Sequence, residues 1–471
     1  MKIKLGLGKA DMKDIAKYCC GELYDFTGEI GCSFEYVCTD SREADADTMF
    51  VATRGERVDG HDYIIKAIEL GCKCILCEYV PTDISGRQAC FVVVENSIDA
   101  FASAAKGYRA AKPISSVAIT GSVGKTTTKE LVASILKQKK NIYSTVGNFN
   151  SVIGMPMSLM EVGEDCESAV FEMGMSGFGE IKSMSLCASP RVAMVINIGS
   201  SHLEYLKTRE NIAAAKLEIS EGIEEGGYLL LNGDEPLLAG REEGKGYKPL
   251  YVGSKIRETS DVFVSNVRVE CGCTEFDLDI INKSYKGLKI NLLGAHFALN
   301  AAFAAAAAAL MGCSESEIRA GLEAYFPSGL RQNIEIKDGV TVIVDCYNAA
   351  PESMRAAIDT LCSLKAEGKR IAVLGEMREL GEDSDKLHRS VGEYLAQKKA
   401  DHLVAIGQGG SFIAEGAREM GMDAEKITVL LDIDDTNAIS NAVRKVVGKG
   451  DAVLFKASRA LRLETVIKEV F

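Results

Sequence analysis

No tryptophan occurs among the 471 residues, aromatic side chains make up only 7%, and prolines number eight. The cores must therefore be filled by aliphatic side chains and alanine. Positive charge is in deficit: 54 lysines and arginines stand against 67 aspartates and glutamates, a net charge of -13. Nucleic acid or an anionic membrane would meet a repulsive long-range field, which argues against general binding to either. A local basic pocket for a phosphorylated substrate remains open. Long hydrophobic runs are missing too. The most apolar stretch, 301–313, is shorter than the ~20 residues that span a bilayer and reads as a buried helix. The first twenty residues, MKIKLGLGKADMKDIAKYCC, lack the apolar core of a signal peptide. The expectation is a cytosolic protein without membrane insertion.

Cysteine, by contrast, is plentiful. The fifteen are scattered without the spacing of a disulfide framework, as free thiols in a reducing compartment would be. Cys72, Cys74 and Cys77 come nearest to a metal pattern, within the apolar run GCKCILCEYV. No second cluster follows, and a closed zinc site needs four ligands, so buried strand cysteines are the simpler reading.

The length suggests about three domains of roughly 150 residues. A mixed first segment ends in a helix over 97–109, followed by Pro113, a stop signal. Beyond it the apolar runs SSVAIT, SAVFEMG, RVAMVINIG and GGYLLLN alternate with helical stretches, which implies a parallel sheet covered on both faces. Residues 261–293 alternate polar and apolar positions, as an antiparallel ribbon does, and helices are expected at 296–312 and 314–325. A second boundary falls at Phe326, Pro327, Ser328 and Gly329. Strands alternate with helices again after it, in TVIVDCYN, RIAVLGEM, HLVAIGQGG, KITVLL and DAVLFKAS. The fold class is thus α/β in three domains: 1–112, a central parallel-sheet nucleotide domain over 113–327, and a smaller doubly wound, Rossmann-like unit over 328–471.

The most informative segment runs from Ser116 to Thr128, where an apolar strand enters Thr120-Gly121-Ser122-Val123-Gly124-Lys125-Thr126-Thr127 and then a helix. Backbone amides at such a helix start can surround a phosphate, and Gly121 and Gly124 permit close approach. Lys125 would neutralise the β- and γ-phosphates of ATP, and the Thr126 hydroxyl would ligate Mg²⁺. The usual first glycine of a phosphate loop is replaced by Ile119, leaving the shorter form G-x-x-G-K-T. Downstream, Glu172 ends an apolar strand and faces the crevice where α/β sheets bind ligands. It is a candidate Mg²⁺ ligand, although an ordinary strand-end acid fits the same place. His202 follows another strand and suits either a site or a structural role. By periodicity alone Lys216 reads as a simple helix lysine, and Asn300 and Asp345 are equally undecided.

Taken together these segments resemble the Mur ligase family along the whole chain. The family uses the shortened loop, which accounts for Ile119. Gly147-Asn148-Phe149-Asn150 is similar to its substrate-facing loop, with Ser151 where a second Asn is common. Phe171-Glu172-Met173-Gly174 and Asn197-Ile198-Gly199-Ser200-Ser201-His202 resemble its metal-binding segments, and Ala215-Lys216-Leu217-Glu218 the segment whose lysine carries a carbamate. The resemblance implies adenine contact by Asn300, although Phe297 stands in place of the usual Asn. It also implies nucleotide contact by Arg331 and by Asp345, in the segment Asp345-Cys346-Tyr347-Asn348-Ala349-Ala350-Pro351.

Asp40-Ser41-Arg42 resembles a uridine-side motif, giving Ser41 and Arg42 a substrate role alongside Asn148 and Asn150. Tyr347-Asn348, Leu374 to Gly381, and Lys456-Ala457-Ser458-Arg459 resemble the branch that adds a D-alanyl-D-alanine dipeptide. For that branch Ala350 replaces a usual Asn and Ala457 a usual Gly. The implied dipeptide contacts are Tyr347, Asn348, Lys456, Ser458 and Arg459. The implied activity is ATP-dependent ligation of D-alanyl-D-alanine to a UDP-N-acetylmuramoyl-tripeptide through an acyl phosphate, with two Mg²⁺ ions bound through Thr126, Glu172, His202 and a carbamylated Lys216. A nucleotide-driven switch and a catalytically dead UDP-sugar binder are the rival readings. Because the implied nucleotide site is split between the second and third domains, an open, extended chain that closes on its ligands is expected.

Overall fold

The computed structural model describes residues 1–28, 32–55, 58–84, 88–240, 246–270, 272–327 and 329–471. Ser328, part of the expected second boundary, lies outside the described residues. Three large sheets organise the chain. The first has six strands in the order Lys2–Lys4, Tyr36–Cys38, Thr48–Val51, Cys74–Cys77, Cys90–Val93 and Glu22–Asp25, parallel in the middle and antiparallel at both edges. Side chains alternate across a strand, so Cys74 and Cys77, three residues apart on Cys74–Cys77, point to opposite faces, and Cys72 precedes the strand. Cys74 packs in one core with Cys32 and Cys90, whereas Cys72 and Cys77 belong to the core on the other side. The triplet therefore converges on no common metal site.

The second sheet has nine strands. Ser115–Thr120 lies between Ser168–Glu172 and Val192–Val195, all parallel, so the chain's direction of winding reverses beside the strand that feeds the phosphate loop. Gly227–Asn232, Tyr247–Gly253 and Val262–Glu270 continue the sheet in parallel, and Cys273–Ile280 and Lys283–Ile290 finish it antiparallel. The alternating segment expected as an antiparallel ribbon is one, and it forms the outer part of this sheet. Its alternate residues are buried beneath the helix His296–Leu310, whose alanines allow close packing against the phosphate-loop helix Lys125–Leu136. The helix Ser97–Arg109 joins the first unit to the second in one continuous core that includes Phe101, Tyr108, Met155 and Leu159.

The third sheet runs Asn333–Lys337, Val340–Val344, Ala452–Lys456, Arg370–Leu374, His402–Ile406 and Ile427–Leu430. Its first strand is an antiparallel edge that the sequence reading did not include. Helices Ser384–Gln397 and Gly407–Glu419 approach so closely that a Cβ on Gly392 would stand 1.8 Å from the Ile413 carbonyl oxygen. Gly392→Ala is expected to destabilise this unit by about 1–3 kcal/mol through overpacking. The readout is a lowered urea midpoint, compared with Gly448→Ala, where the nearest atom would be 3.7 Å away. Equal midpoints for the two variants would contradict the packing.

Candidate active site

The loop after Ser115–Thr120 is held from the neighbouring strand. The backbone N–H groups of Ser122 and Val123 both donate to Asn197 Oδ1 at 2.9 Å, and Asn197 Nδ2 donates to the Val123 carbonyl at 2.7 Å. Gly121 is forced by space, since a Cβ there would meet Ile196 Cγ1 at 2.4 Å. Gly124 is forced by conformation: its φ is +81°, and it caps the helix that begins with Lys125. The Asn300 amide lies close over Gly124, 2.9 Å from where a Cβ would be. Lys125 Nζ folds back onto the Gly121 carbonyl at 2.7 Å. Burial pushes its pKa below the ordinary lysine value, partly opposed by the nearby Glu172.

Glu172 is buried, and both its oxygens are engaged. Oε2 accepts from Thr126 Oγ1 at 2.8 Å, and Oε1 accepts from Asn150 Nδ2 at 2.9 Å. These are hard oxygen donors gathered at a helix N-terminus beside a phosphate loop, a donor set that suits Mg²⁺. His202 sits in the left-handed region, φ 69°, ahead of the short helix Leu203–Leu206. Its Nδ1 lies 2.7 Å from Glu379 Oε2, a close contact that is not aligned as a hydrogen bond. The histidine holds the Glu379 carboxyl below its usual pKa.

Lys216, on Arg209–Leu217, is 1% exposed and forms no ion pair among the described residues. Burial pushes its pKa well below the lysine value, and the charge of Lys125 adds to the shift. It is therefore no surface helix lysine, which is what its periodicity alone suggested.

A cavity of about 1040 Å³ opens in front of these groups. Ligand pockets typically occupy ~300–1,000 Å³, so there is room for more than one small ligand. Ser122, Val123, Gly124, Lys125, Thr127, Asn148, Asn150, Glu172 and His202 line it from the second unit. Asn300 lines it beside His296, whose pKa burial lowers to about 4, leaving the ring neutral at pH 7. From the third unit come Arg331, Asp345, Tyr347, Asn348 and Lys456. The Arg331 guanidinium stacks 4.1 Å from the centre of the Tyr347 ring. Lys456 is buried and bridges Asp345 Oδ2 at 2.5 Å and the Asn348 carbonyl at 3.1 Å.

Several expected residues do not line the cavity. Gly121, Thr126 and Lys216 lie outside its wall, and so do Ser41 and Arg42. Arg42 is exposed and forks onto Asp40. Ser458 accepts the Arg378 N–H at 3.2 Å, and Arg459 pairs with Glu464.

In this structure the third unit is docked on the second. Glu352 Oε1 accepts from the Ser200 N–H at 3.0 Å and from Ser200 Oγ at 2.9 Å. The Glu204 N–H donates to the Glu379 carbonyl, and Thr360 Oγ1 donates to the Leu293 carbonyl. Sequence reasoning assigned no role to Asn197, Glu352 or Glu379. Asn197 carried a local signal, being an amide at the end of an apolar run beside the loop, and Glu379 lies within the Leu374 to Gly381 segment, whereas Glu352 carried none.

Comparison with known proteins gives three family models along the chain. The "Mur ligase family, catalytic domain" model matches residues 33–113, the "Mur ligase middle domain" 119–308, and the "Mur ligase, glutamate ligase domain" 331–459. The chain is 35% identical to the UDP-N-acetylmuramoyl-tripeptide--D-alanyl-D-alanine ligase of Bacillus subtilis, over 92% of both chains. It is 31% identical to the enzyme of that name from Escherichia coli, over 93% of both. A crystal structure of MurF from Acinetobacter baumannii superposes with a TM-score of 0.88 at 30% identity, covering 99% of each chain. The MurF ligase of Thermotoga maritima in complex with ADP gives 0.79 at 31% identity, covering 92% of this chain and 96% of that one.

Removing one partner of a buried ion pair strands the other charge. Lys456→Met is therefore expected to cost about 3–5 kcal/mol, read by chemical denaturation, and adding Asp345→Asn should recover part of it. An unchanged midpoint in the single variant would contradict the buried pair.

Proposed function

Because the chain belongs to the Mur ligase family, we propose that it is the ATP-dependent ligase that joins D-alanyl-D-alanine to UDP-N-acetylmuramoyl-tripeptide in peptidoglycan precursor synthesis. The observation that carries the reading is the cavity shared by the phosphate loop and the Tyr347–Lys456 side of the third unit. We divide the chain into a UDP-substrate domain over 1–112, a nucleotide domain over 113–327 and a dipeptide domain over 328–471. Fourteen free cysteines among the described residues fit a reducing cytoplasm. No described helix is long and apolar enough to cross a membrane.

A carboxylate and an amine do not condense at neutral pH, so the carboxylate must first be given a leaving group. The amides at the start of the Lys125–Leu136 helix, with Lys125, would hold the ATP phosphates, and Asn300, Arg331 and Asp345, which line the same cavity, would contact the nucleotide. A substrate carboxylate oxygen attacks the γ-phosphorus, ADP leaves, and an acyl phosphate remains. The dipeptide amine attacks its carbonyl carbon, and expulsion of phosphate completes the amide. The docked third unit keeps water from the acyl phosphate while presenting the amine. Thr126, Glu172, His202 and a carbamylated Lys216 would hold Mg²⁺, which when bound supplies charge stabilisation at the transferring phosphoryl group.

The state of Lys216 supports the carbamate. Only a neutral amine adds CO₂, and burial without a counter-charge favours that form. The product is an anion with two oxygen donors, which a hard cation accepts far better than an amine.

Lys125→Ala is expected to keep the fold and lower turnover by about 10³-fold. The assay is ADP release with UDP-muramoyl-tripeptide, with and without D-alanyl-D-alanine. ADP release that ignores the dipeptide, without amide formation, would favour a nucleotide switch over a ligase. In ¹³C-bicarbonate, the unsubstituted enzyme should give a carbamate carbon resonance that Lys216→Met lacks. Identical spectra would contradict the modification.

A further inference from the structure

His202 enters the site from an unusual backbone conformation, φ 69°, on a segment that supplies no aligned hydrogen-bond partner for its buried Nδ1. A metal-binding histidine needs one ring nitrogen held so that the other presents its lone pair, and that holder is commonly a carboxylate. The close carboxylate here is Glu379, 2.7 Å from Nδ1, and it comes from the third unit.

The placement is built rather than incidental. Glu379 itself has φ 62°, and Gly381, with φ 64°, packs so near that a Cβ would lie 3.1 Å from Glu204 Cα. The Glu204 N–H donates to the Glu379 carbonyl at 3.2 Å, fixing the same loop to the helix that follows His202. Glu352, also from the third unit, grips Ser200 two residues earlier. Gly199 leaves the room it needs, since a Cβ there would meet Glu352 Cδ at 2.9 Å.

We infer that Glu379 is a positioning residue: once aligned from its 2.7 Å contact, its carboxylate takes the Nδ1–H of His202 and leaves Nε2 for the metal, so that the dipeptide-bearing domain completes the metal centre of the nucleotide domain. The inference rests on the ligase reading and its assignment of His202 to the metal. Its consequence is coupling, because a centre completed only by the docked third domain is fully organised only when the amine-presenting surface is in place.

The test uses the full-length chain with ADP and Mn²⁺ as the probe, with bound metal followed by electron paramagnetic resonance. Glu379→Ala is expected to weaken Mn²⁺ binding by about 10- to 100-fold, and Glu379→Gln, which keeps an acceptor oxygen, by less. The side chain of Glu379 is 46% exposed, so its removal opens no core. A second readout needs no metal. The chain has five histidines, and ¹⁵N spectra of the histidine-labelled protein should show the Nδ1–H tautomer at His202, lost in Glu379→Ala. Unchanged tautomer and unchanged Mn²⁺ affinity in Glu379→Ala, with affinity lost in Glu172→Ala and His202→Ala, would overturn this inference and leave the ligase reading standing. Unchanged affinity in all three variants would overturn the metal assignment on which both rest.

Discussion

The side-chain amide of Asn197 is the contact on which the site depends. With one oxygen it gathers two backbone N–H groups of the phosphate loop, and with its nitrogen it returns a bond to the loop. A phosphate loop works best when its shape is set before the anion arrives. Here that shape is fixed by the adjacent strand, which ties down the Ser122 and Val123 amides and leaves those at the start of the helix Lys125–Leu136 for an anion. The same strand end continues through Gly199, whose N–H donates to Ser122 Oγ, to Ser200 and His202. The loop, the 199–202 segment and the third-unit carboxylates Glu352 and Glu379 thus form one connected run of short contacts.

Electrostatics explain how a chain with a net charge of -13 takes a polyphosphate. Lys125 and Arg331 bring positive charge to the cavity wall, and of the acids nearby Glu172 is hydrogen-bonded and Asp345 is paired to Lys456. Local positive charge in a partly dry crevice outweighs a distant negative surface, because screening and dielectric suppress the latter. The fold supplies the crevice by reversing its winding beside Ser115–Thr120, where strand ends from both sides face one opening.

What could be read in the sequence follows from how local each feature is. The phosphate loop, Glu172 at its strand end and the helix Ser97–Arg109 are each written in a dozen or so consecutive residues, and the structure places them as read. The alternating stretch 261–293 gave its strands correctly but not their junction with the parallel sheet, because pairing partners are set by tertiary packing. Asn333–Lys337 escaped notice although Asn-Ile-Glu-Ile-Lys alternates and Asp338-Gly339 follows it as a turn signal; it is only five residues long and lies just after the expected domain boundary. Lys216 looked like a surface lysine, since periodicity cannot tell which helix face has no solvent. Glu352 was the least legible of all. Glu352 is 152 residues from its partner Ser200, and nothing local distinguishes it from an acid near a helix start.

The central claim is that the cavity between the second and third units makes an amide through an acyl phosphate. Oxygen tracing tests it most directly: UDP-N-acetylmuramoyl-tripeptide carrying ¹⁸O in its terminal carboxylate is turned over with ATP and D-alanyl-D-alanine, and the released phosphate is examined by ³¹P NMR. The account predicts one ¹⁸O transferred to phosphate for each amide formed. Amide formed with unlabelled phosphate would contradict it.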